Sequence, residues 1–541
     1  MSVLENGSGG SSHNISRETI DALRSIVGDE NLSVEAEDRE FISTDLSWLP
    51  REVSEASVRP STVEELSSVV KTATGAGYSV VPRGGGMSYT RGFTPTEKMS
   101  VSLDTERLDR IIEINPDDMY VIVECGCTWK KLYEALKEKG LRTPYYGPLS
   151  GRHATVGGTV SQNSLFLGSG IHHTAAESVL GLEVVLADGT VLRTGSWAHK
   201  NGSPFYRNFG PDLTGLFTAD TGAMAIKAKV VLRLIKTPPA TAIMSFGFET
   251  LEQMLSAQVE ISRLNIASEC YGFDPYYNAN FEKLGFTLTE GIATVGKIAA
   301  GAGSWRQGLK RAIAIAFAGR TVLRDINYSL HMTLDALDDA AANSSLQAAR
   351  KICRAHTGKE LVASLPAAFR AEPFQPVRTL ILGSDGECWI PIHGFVPLSK
   401  AVPVAQEIEA FFADNKELMD KHGIRTSYLT CFSGAEFLIE PSFYWYDQLG
   451  PYRMSRIEPE FQEKWQDREP DQETREVVLG LRKGIRDIFF KHGACHLQIG
   501  KYYPYEDAMV GGPGEPYWNL LKDIKGLIDP DKRINPGSLG L

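Results

Sequence analysis

Three consecutive glycines, Gly84 to Gly86, stand directly after a short apolar strand, Tyr78–Val81, inside Pro82-Arg-Gly-Gly-Gly-Met-Ser-Tyr-Thr-Arg-Gly-Phe-Thr-Pro95. Glycine has no Cβ, so the backbone can approach a ligand closely, and successive N–H groups on such a loop form a concavity that suits phosphate oxygens. Taken alone, the loop reads equally as a flexible turn or as a phosphate cradle. The order of elements downstream decides between them.

The first half of the chain alternates strand and helix. Thr62-Val-Glu-Glu65 is a capping box opening a helix through Thr74, closed by Gly75 and Gly77. Strands Met99–Leu103 and Tyr120–Glu124 follow, then a helix Trp129–Lys139 with Thr128 as cap and Gly140 as stop. Leu182–Leu186 and Val191–Thr194 flank Asp188-Gly189 and predict a hairpin. Another strand covers Lys227–Leu234. From about Thr241 the texture changes. Strands Ala242–Phe248, Trp389–Phe395 and Thr426–Phe432 are separated by long helices, Leu251–Arg263, Leu346–His356, Val402–His422 and Gln472–Lys491. That spacing predicts an α+β domain with helices on one face of a largely antiparallel sheet.

Bulk properties narrow the class. A chain of 541 residues exceeds one ordinary core and predicts two or three domains. With 56 basic against 67 acidic residues, the net charge of −11 and the lack of a basic cluster argue against nucleic acid as a partner. Residues 1–15, Ser/Gly/Asn-rich and without a signal-peptide apolar stretch, read as a disordered lead-in. No apolar run approaches the roughly 20 residues of a membrane span; Ala312–Gly319, between Arg311 and Arg320, reads as a buried cap helix, with an interfacial membrane contact as the alternative. Seven scattered cysteines make no Cys-x-x-Cys pair, which predicts free thiols in a cytoplasmic protein and no metal site. Cys125-Gly-Cys127 ends a buried strand and reads as packing.

Four segments then occur in order: Pro82–Tyr89; Thr155-Val-Gly-Gly-Thr-Val-Ser-Gln-Asn163 continuing through Gly168-Ser-Gly170; Leu180–Gly189; and Asp212–Ile226. This series resembles the FAD-binding domain of the vanillyl-alcohol oxidase/para-cresol methylhydroxylase superfamily, and Asp529-Pro…Asn535-Pro-Gly537 looks like that superfamily's C-terminal return to the flavin domain. The resemblance runs from about residue 40 to the end. It implies an α+β fold: a two-subdomain FAD-binding domain over about 16–240, a cap domain over 241–499 with an antiparallel sheet flanked by helices, and a return over 500–541. It also implies FAD, a small-molecule substrate, O2 or another electron acceptor, and a homodimer. The residues it assigns to the cofactor are Pro82, Arg83, Gly84, Gly85, Gly86, Met87 and Ser88 on the first loop. On the second they are Thr155, Val156, Gly157, Gly158, Ser161 and Gly168. Ser150, Gly222, Ile226 and Asn535 complete the set. Gly84–Ser88 and Thr155–Gly158 would supply N–H donors to the pyrophosphate.

Departures from the family pattern shape the expected chemistry. Where some relatives carry a flavin-tethering histidine after the glycines, this chain has Met87; His393, in Ile390-Pro-Ile-His-Gly394, falls near the other tether position and is either a tether or a structural histidine. Tyr89 matches a phenolate-binding tyrosine, but the C-terminal Tyr-Arg pair becomes Leu497-Gln498, and a flavin-side carboxylate becomes Ser150 beside Arg152 and His153. An ionised phenol would lack its cation, which disfavours a para-alkylphenol oxidase. His172, His173 and His496 become the candidate bases for a hydroxyl proton, with Lys501 or Arg152 holding an anion or developing alkoxide. The expectation is an FAD-dependent oxidoreductase taking hydride from a C–H next to the hydroxyl of an aromatic or bulky alcohol. The alternatives are a 2-hydroxy-acid dehydrogenase, a non-redox transferase like alkyl-dihydroxyacetonephosphate synthase, or a flavin-binding protein without catalysis.

Overall fold

A computed structural model describes residues 15–281 and 326–541. The lead-in up to residue 14 and the helix expected over Ala312–Gly319 lie outside the described residues.

In the N-terminal half, the helix Val63–Gly75 starts where Thr62 Oγ1 accepts the Glu65 N–H at 3.1 Å. Leu66, Val69, Val70 and Ala73 recur at helical spacing, and all four are buried. They pack on a four-stranded sheet in the order Leu32–Ser33, Ala56–Val58, Ser100–Asp104, Ser79–Arg83, whose last two pairings are parallel. A second, five-stranded antiparallel sheet runs Ile111–Asn115, Tyr120–Glu124, Ile226–Arg233, Val179–Val185, Val191–Arg193, and contains the expected hairpin. Val80 and Val101 of the first sheet share a core with Cys125, Val185 and Ile226 at the edge of the second. The strand Ser79–Arg83 therefore ends, and its glycine loop begins, where the two sheets meet.

The cap is an eight-stranded antiparallel sheet. Helices Leu251–Leu264, Asp339–Ala355, Ala401–Asp414 and Gln472–Lys491 bury Met254, Cys353, Ile408 and Ile485 in one core with the sheet. A separate core joins Tyr271, Phe273, Cys431 and Leu438 of the sheet to Leu165 and Phe166 of the N-terminal half. Two expected elements are divided. The helix expected over Val402–His422 is two, Ala401–Asp414 and Lys416–Lys421; Asn415 interrupts it, its amide donating to the Phe411 carbonyl at 2.8 Å. The strand expected over Trp389–Phe395 is Cys388–Pro391 and Gly394–Pro397, both pairing with Glu436–Trp445 and separated by Ile392 and His393.

After the helix Glu515–Ile528, the chain returns to the first sheet. Val80 donates to the Arg533 carbonyl (2.7 Å) and Asn535 to the Val80 carbonyl (2.9 Å). The Asn535 side chain donates to the carbonyls of Gly92 and Thr221, both at 2.9 Å. One amide thus joins the first glycine loop to the fourth motif.

Candidate active site

A cleft between the two halves encloses about 1580 Å³, its open mouth included. Its N-terminal wall is built from the glycine loop. A Cβ on Gly85 would run into the His153 carbonyl oxygen, and one on Gly84 into Thr155 Oγ1, so the first and second motifs meet at distances only glycine permits. Gly86 has φ +73°, and its carbonyl accepts from Tyr452 of the cap. Among the described residues, no protein acceptor receives the N–H groups of Gly84, Gly85, Gly86, Met87 or Ser88. Five successive free donors lining a cleft are an anion cradle. Two buried polar atoms on the same wall, Gln162 Oε1 and Thr221 Oγ1, also lack partners and suit the mixed donor–acceptor edge of a flavin ring.

The second motif behaves differently. Val156 and Gly157 N–H donate to the carbonyls of Cys127 and Cys125, both at 2.8 Å, and Gly158 N–H to Thr155 Oγ1 at 3.3 Å. Their expected donation to a pyrophosphate is therefore corrected: these donors are engaged within the protein, and the segment shapes the wall. Cys125 and Cys127 form the ledge beneath it, both thiols buried and pushed up to about 12 by burial.

The cap wall is made of side chains. On the neighbouring strands Arg425–Ser433 and Glu436–Trp445, Leu429 pairs with Glu440 and Cys431 with Leu438, and all four line the cleft. Period-two alternation sends Phe437, Ile439 and Phe443 to the helix-covered core instead. Tyr277, Leu380, Ile381 and Trp389 complete the cap wall, with Leu149, Leu165 and Phe166 opposite. Tyr89 meets the Trp389 ring edge-on at 5.6 Å. Burial raises its phenol well above the ordinary value, against a counteracting hydrogen bond from Gln498. Glu440 has no hydrogen-bond donor among the described residues, and burial raises its carboxyl to about 7.

Residues 54–195 match the FAD binding domain family. Over 207 residues the chain is 32% identical to D-lactate dehydrogenase of Archaeoglobus fulgidus, an alignment covering 38% of this chain and 44% of that relative. The chain thus spans less than half the length of this relative. Among solved structures, p-cresol methylhydroxylase with substrate bound aligns over 98% of this chain and 99% of its own, with a TM-score of 0.71 at 18% identity. Alkyldihydroxyacetonephosphate synthase aligns over 97% and 85%, with a TM-score of 0.67 at 16% identity.

Residues 54–195 are an FAD binding domain. The fold of the described residues is similar to that of p-cresol methylhydroxylase. Within the FAD binding domain, the residues from Pro82 to Ser88 line the cleft together with Ser150, Thr155, Gly157, Gly158 and Ser161; beyond it, Gly222 and Ile226 do so too. Three expected cofactor residues do not. Val156 is buried in the domain core, Gly168 N–H donates to Glu269 Oε1 at 2.8 Å, and Asn535 sits behind the loops it ties together. His393 is also off the wall: its Nε2 contacts the Leu497 carbonyl at 2.9 Å, and burial takes its pKa down to about 3.

Of the six residues expected to carry catalysis, only Tyr89 lines the cleft. His172 ends a short helix beside Arg142, and burial lowers it to about 4. His173 lies half-exposed, 3.4 Å from Glu436, with φ +61°. His496 stacks on Tyr503 at 3.8 Å, and its Nδ1 contacts the His393 carbonyl at 2.7 Å. Arg152 donates to the Phe374 carbonyl (2.8 Å) and Lys501 to the Thr94 carbonyl (2.6 Å); burial and then Arg91 lower Lys501 to about 7. None of these five lines the cleft. Sequence reasoning missed Glu440 and Trp389. The available signal was a lone acid inside the apolar run Phe437-Leu-Ile-Glu-Pro-Ser-Phe-Tyr-Trp445. Among the described residues, no group of three His, Cys, Asp or Glu is placed to hold a metal ion, and no helix is long and apolar enough to cross a membrane.

Proposed function

We propose that this chain is an FAD-dependent oxidoreductase that oxidises the hydroxyl-bearing carbon of a neutral aromatic or bulky alcohol. One observation carries the reading. Apart from Glu440 the cap wall is apolar and aromatic, and no Lys or Arg lines it among the described residues. The two cations on the cleft, Arg83 and Lys227, belong to the FAD-binding half and face Asp104 and Asp220. A substrate carboxylate would be desolvated there without a counter-ion, an arrangement that costs several kcal/mol on the order of a buried unpaired charge. A neutral alcohol carries no such penalty, and its ring would lie among Trp389, Tyr277 and Phe166.

When bound, FAD supplies the hydride acceptor. The chain's own residues do the rest. Gly84–Ser88 hold an anion by their free N–H groups, and the hydrophobic cap wall excludes water from the reacting carbon. Tyr89 offers a hydroxyl at the junction of the two walls. The likeness to D-lactate dehydrogenase favours a second reading, oxidation of a 2-hydroxy acid. Anaerobic mixing of the flavin-loaded protein with aromatic alcohols, para-alkylphenols and 2-hydroxy acids tests both. Bleaching near 450 nm by the neutral alcohols alone is expected; bleaching by lactate or glycolate alone overturns the proposal in favour of the second reading. Readmitting air then sorts oxidase from dehydrogenase.

A further inference from the structure

Glu440 is a carboxyl in the substrate wall that nothing in the protein uses. Its strand, Glu436–Trp445, lies one in from the edge of the cap sheet; Glu440 pairs with Leu429 on one side and faces the break between Cys388–Pro391 and Gly394–Pro397 on the other. Its side chain keeps 15% exposure, lines the cleft, and accepts no hydrogen bond among the described residues. The ionisable groups facing it are Tyr89 from the glycine loop, Tyr277 from the helix Pro275–Phe281, Cys431 from the neighbouring strand, and Tyr503 from the C-terminal segment. His393 completes them, its Nδ1 3.8 Å away. Arg482 is the cation behind this group, but its Nε and Nη2 donate to the carbonyls of Pro391 and Tyr89, at 3.0 and 3.1 Å. The tyrosines and the thiol, raised by burial, are neutral near pH 7, and so is His393.

His393 has a definite tautomer. Its Nε2 faces a carbonyl, Leu497 O, and therefore carries the hydrogen. Nδ1 is then a lone pair directed towards Tyr503 Oη at 3.4 Å and Glu440. It cannot donate to Glu440, which lies 3.8 Å away, beyond hydrogen-bond reach. The wall thus contains one acid whose ionised form receives no hydrogen bond from the protein among the described residues. That is the arrangement of a general base.

We infer that Glu440 is the catalytic residue that takes the substrate's hydroxyl proton. The inference rests on the alcohol-oxidation reading above. In the balanced step, the substrate O–H bond breaks and its proton bonds to a Glu440 carboxylate oxygen. The C–H bond breaks with its electron pair, a hydride that FAD, when bound, would accept. Carbon–oxygen becomes a double bond, so the alcohol is oxidised by two electrons and FAD reduced by two. Glu440 later returns its proton to solvent.

Two measurements on the full-length, flavin-loaded protein test this. The first is infrared difference spectroscopy of the oxidised protein between pH 5 and 9, without substrate. A carboxylic-acid C=O band titrating near pH 7, absent in Glu440→Gln, is expected; the same band persisting in the variant overturns the assignment of a proton-exchanging acid to Glu440. The second is single-turnover bleaching by the best alcohol. Wild-type rates should rise with pH to a plateau above about 7, since the base must be ionised. Glu440→Gln should be slower by about 10²-fold or more, and flat with pH. Glu440→Asp, which keeps the acid, should recover part of the rate and regain a rising limb. Wild type bleached and Glu440→Gln equally fast overturns the role of Glu440 alone. Wild type unbleached by every alcohol overturns the alcohol reading, and the role of Glu440 with it.

Discussion

The two walls of the cleft are made of different material. The FAD-binding wall is largely backbone: five free N–H groups on Gly84–Ser88, and a second loop whose glycines exist so that carbonyls and N–H groups can touch. The cap wall is largely side chain, drawn from Tyr277, Trp389, Leu429, Cys431, Leu438 and Glu440 on separate elements. A backbone wall tolerates few residue types, because any Cβ fills it. A side-chain wall tolerates many, because the sheet holds its shape whichever apolar group points inward. The first wall therefore fixes the cofactor class, and the second is free to set the substrate.

The largest effect expected from this contrast is at Gly85. Gly85→Val places two branches where the His153 carbonyl oxygen already stands. The protein should emerge with little or no flavin, read as the ratio of absorbance near 450 nm to that at 280 nm, while Leu438→Val on the other wall should keep full flavin. Equal flavin in both would abolish the distinction between the walls. Next is Asn535→Ala, which strands the buried carbonyls of Gly92 and Thr221. Each unsatisfied buried group costs about 1–3 kcal/mol, so thermal melting should drop by several degrees and flavin should wash out on dilution.

A smaller effect concerns the tether. Both ring nitrogens of His393 are occupied inside the protein, and Met87 stands where a loop histidine would be. Acid precipitation should leave all the flavin in the supernatant, and His393→Ala should not change that. Yellow colour remaining in the pellet of wild type, and lost in the variant, would show a covalent bond through this ring.

How much of this was legible in the sequence follows from the same contrast. Backbone function needs glycine at particular places, and Gly84–Gly86, Gly157–Gly158 and Asn535-Pro-Gly537 are visible as letters. The capped helix after Thr62 and the Asp188-Gly189 hairpin are local in the same way. Side-chain direction is not local. Whether Glu440 faces the cleft depends on its register with Leu429, and whether His172 does depends on how a four-residue helix packs against Arg142 and Asp335. Histidines attract a catalytic reading by their chemistry, yet His393 and His496 are held by carbonyls or a stacked ring. The donors of the second loop illustrate the remaining limit: Thr155–Gly158 has the composition of an anion site, but Cys125 and Cys127 supply acceptors from a strand no spacing rule connects to it.

The smallest expected effect is the sharpest check on that last point. His172 and His173 lie close to the cleft in sequence terms, following Gly168-Ser-Gly170, and both have the chemistry of a base. In the fold, His172 is lowered to about 4 by burial and then by Arg142, so it is already neutral at working pH, but it lines no part of the cleft. His173 lies over Gly434 at the edge of the cap, beside Glu436. A base must reach the proton it removes to within about 2.6–3.2 Å or through one water, and neither ring is on the wall where a substrate would sit. His172→Gln and His173→Gln should therefore leave the single-turnover bleaching rate within about twofold of wild type, with an unchanged pH profile. A fall of tenfold or more in either, with flavin content and melting temperature preserved, would move the proton-accepting site from the cap strand to the FAD-binding half and reverse the division of labour between the two walls.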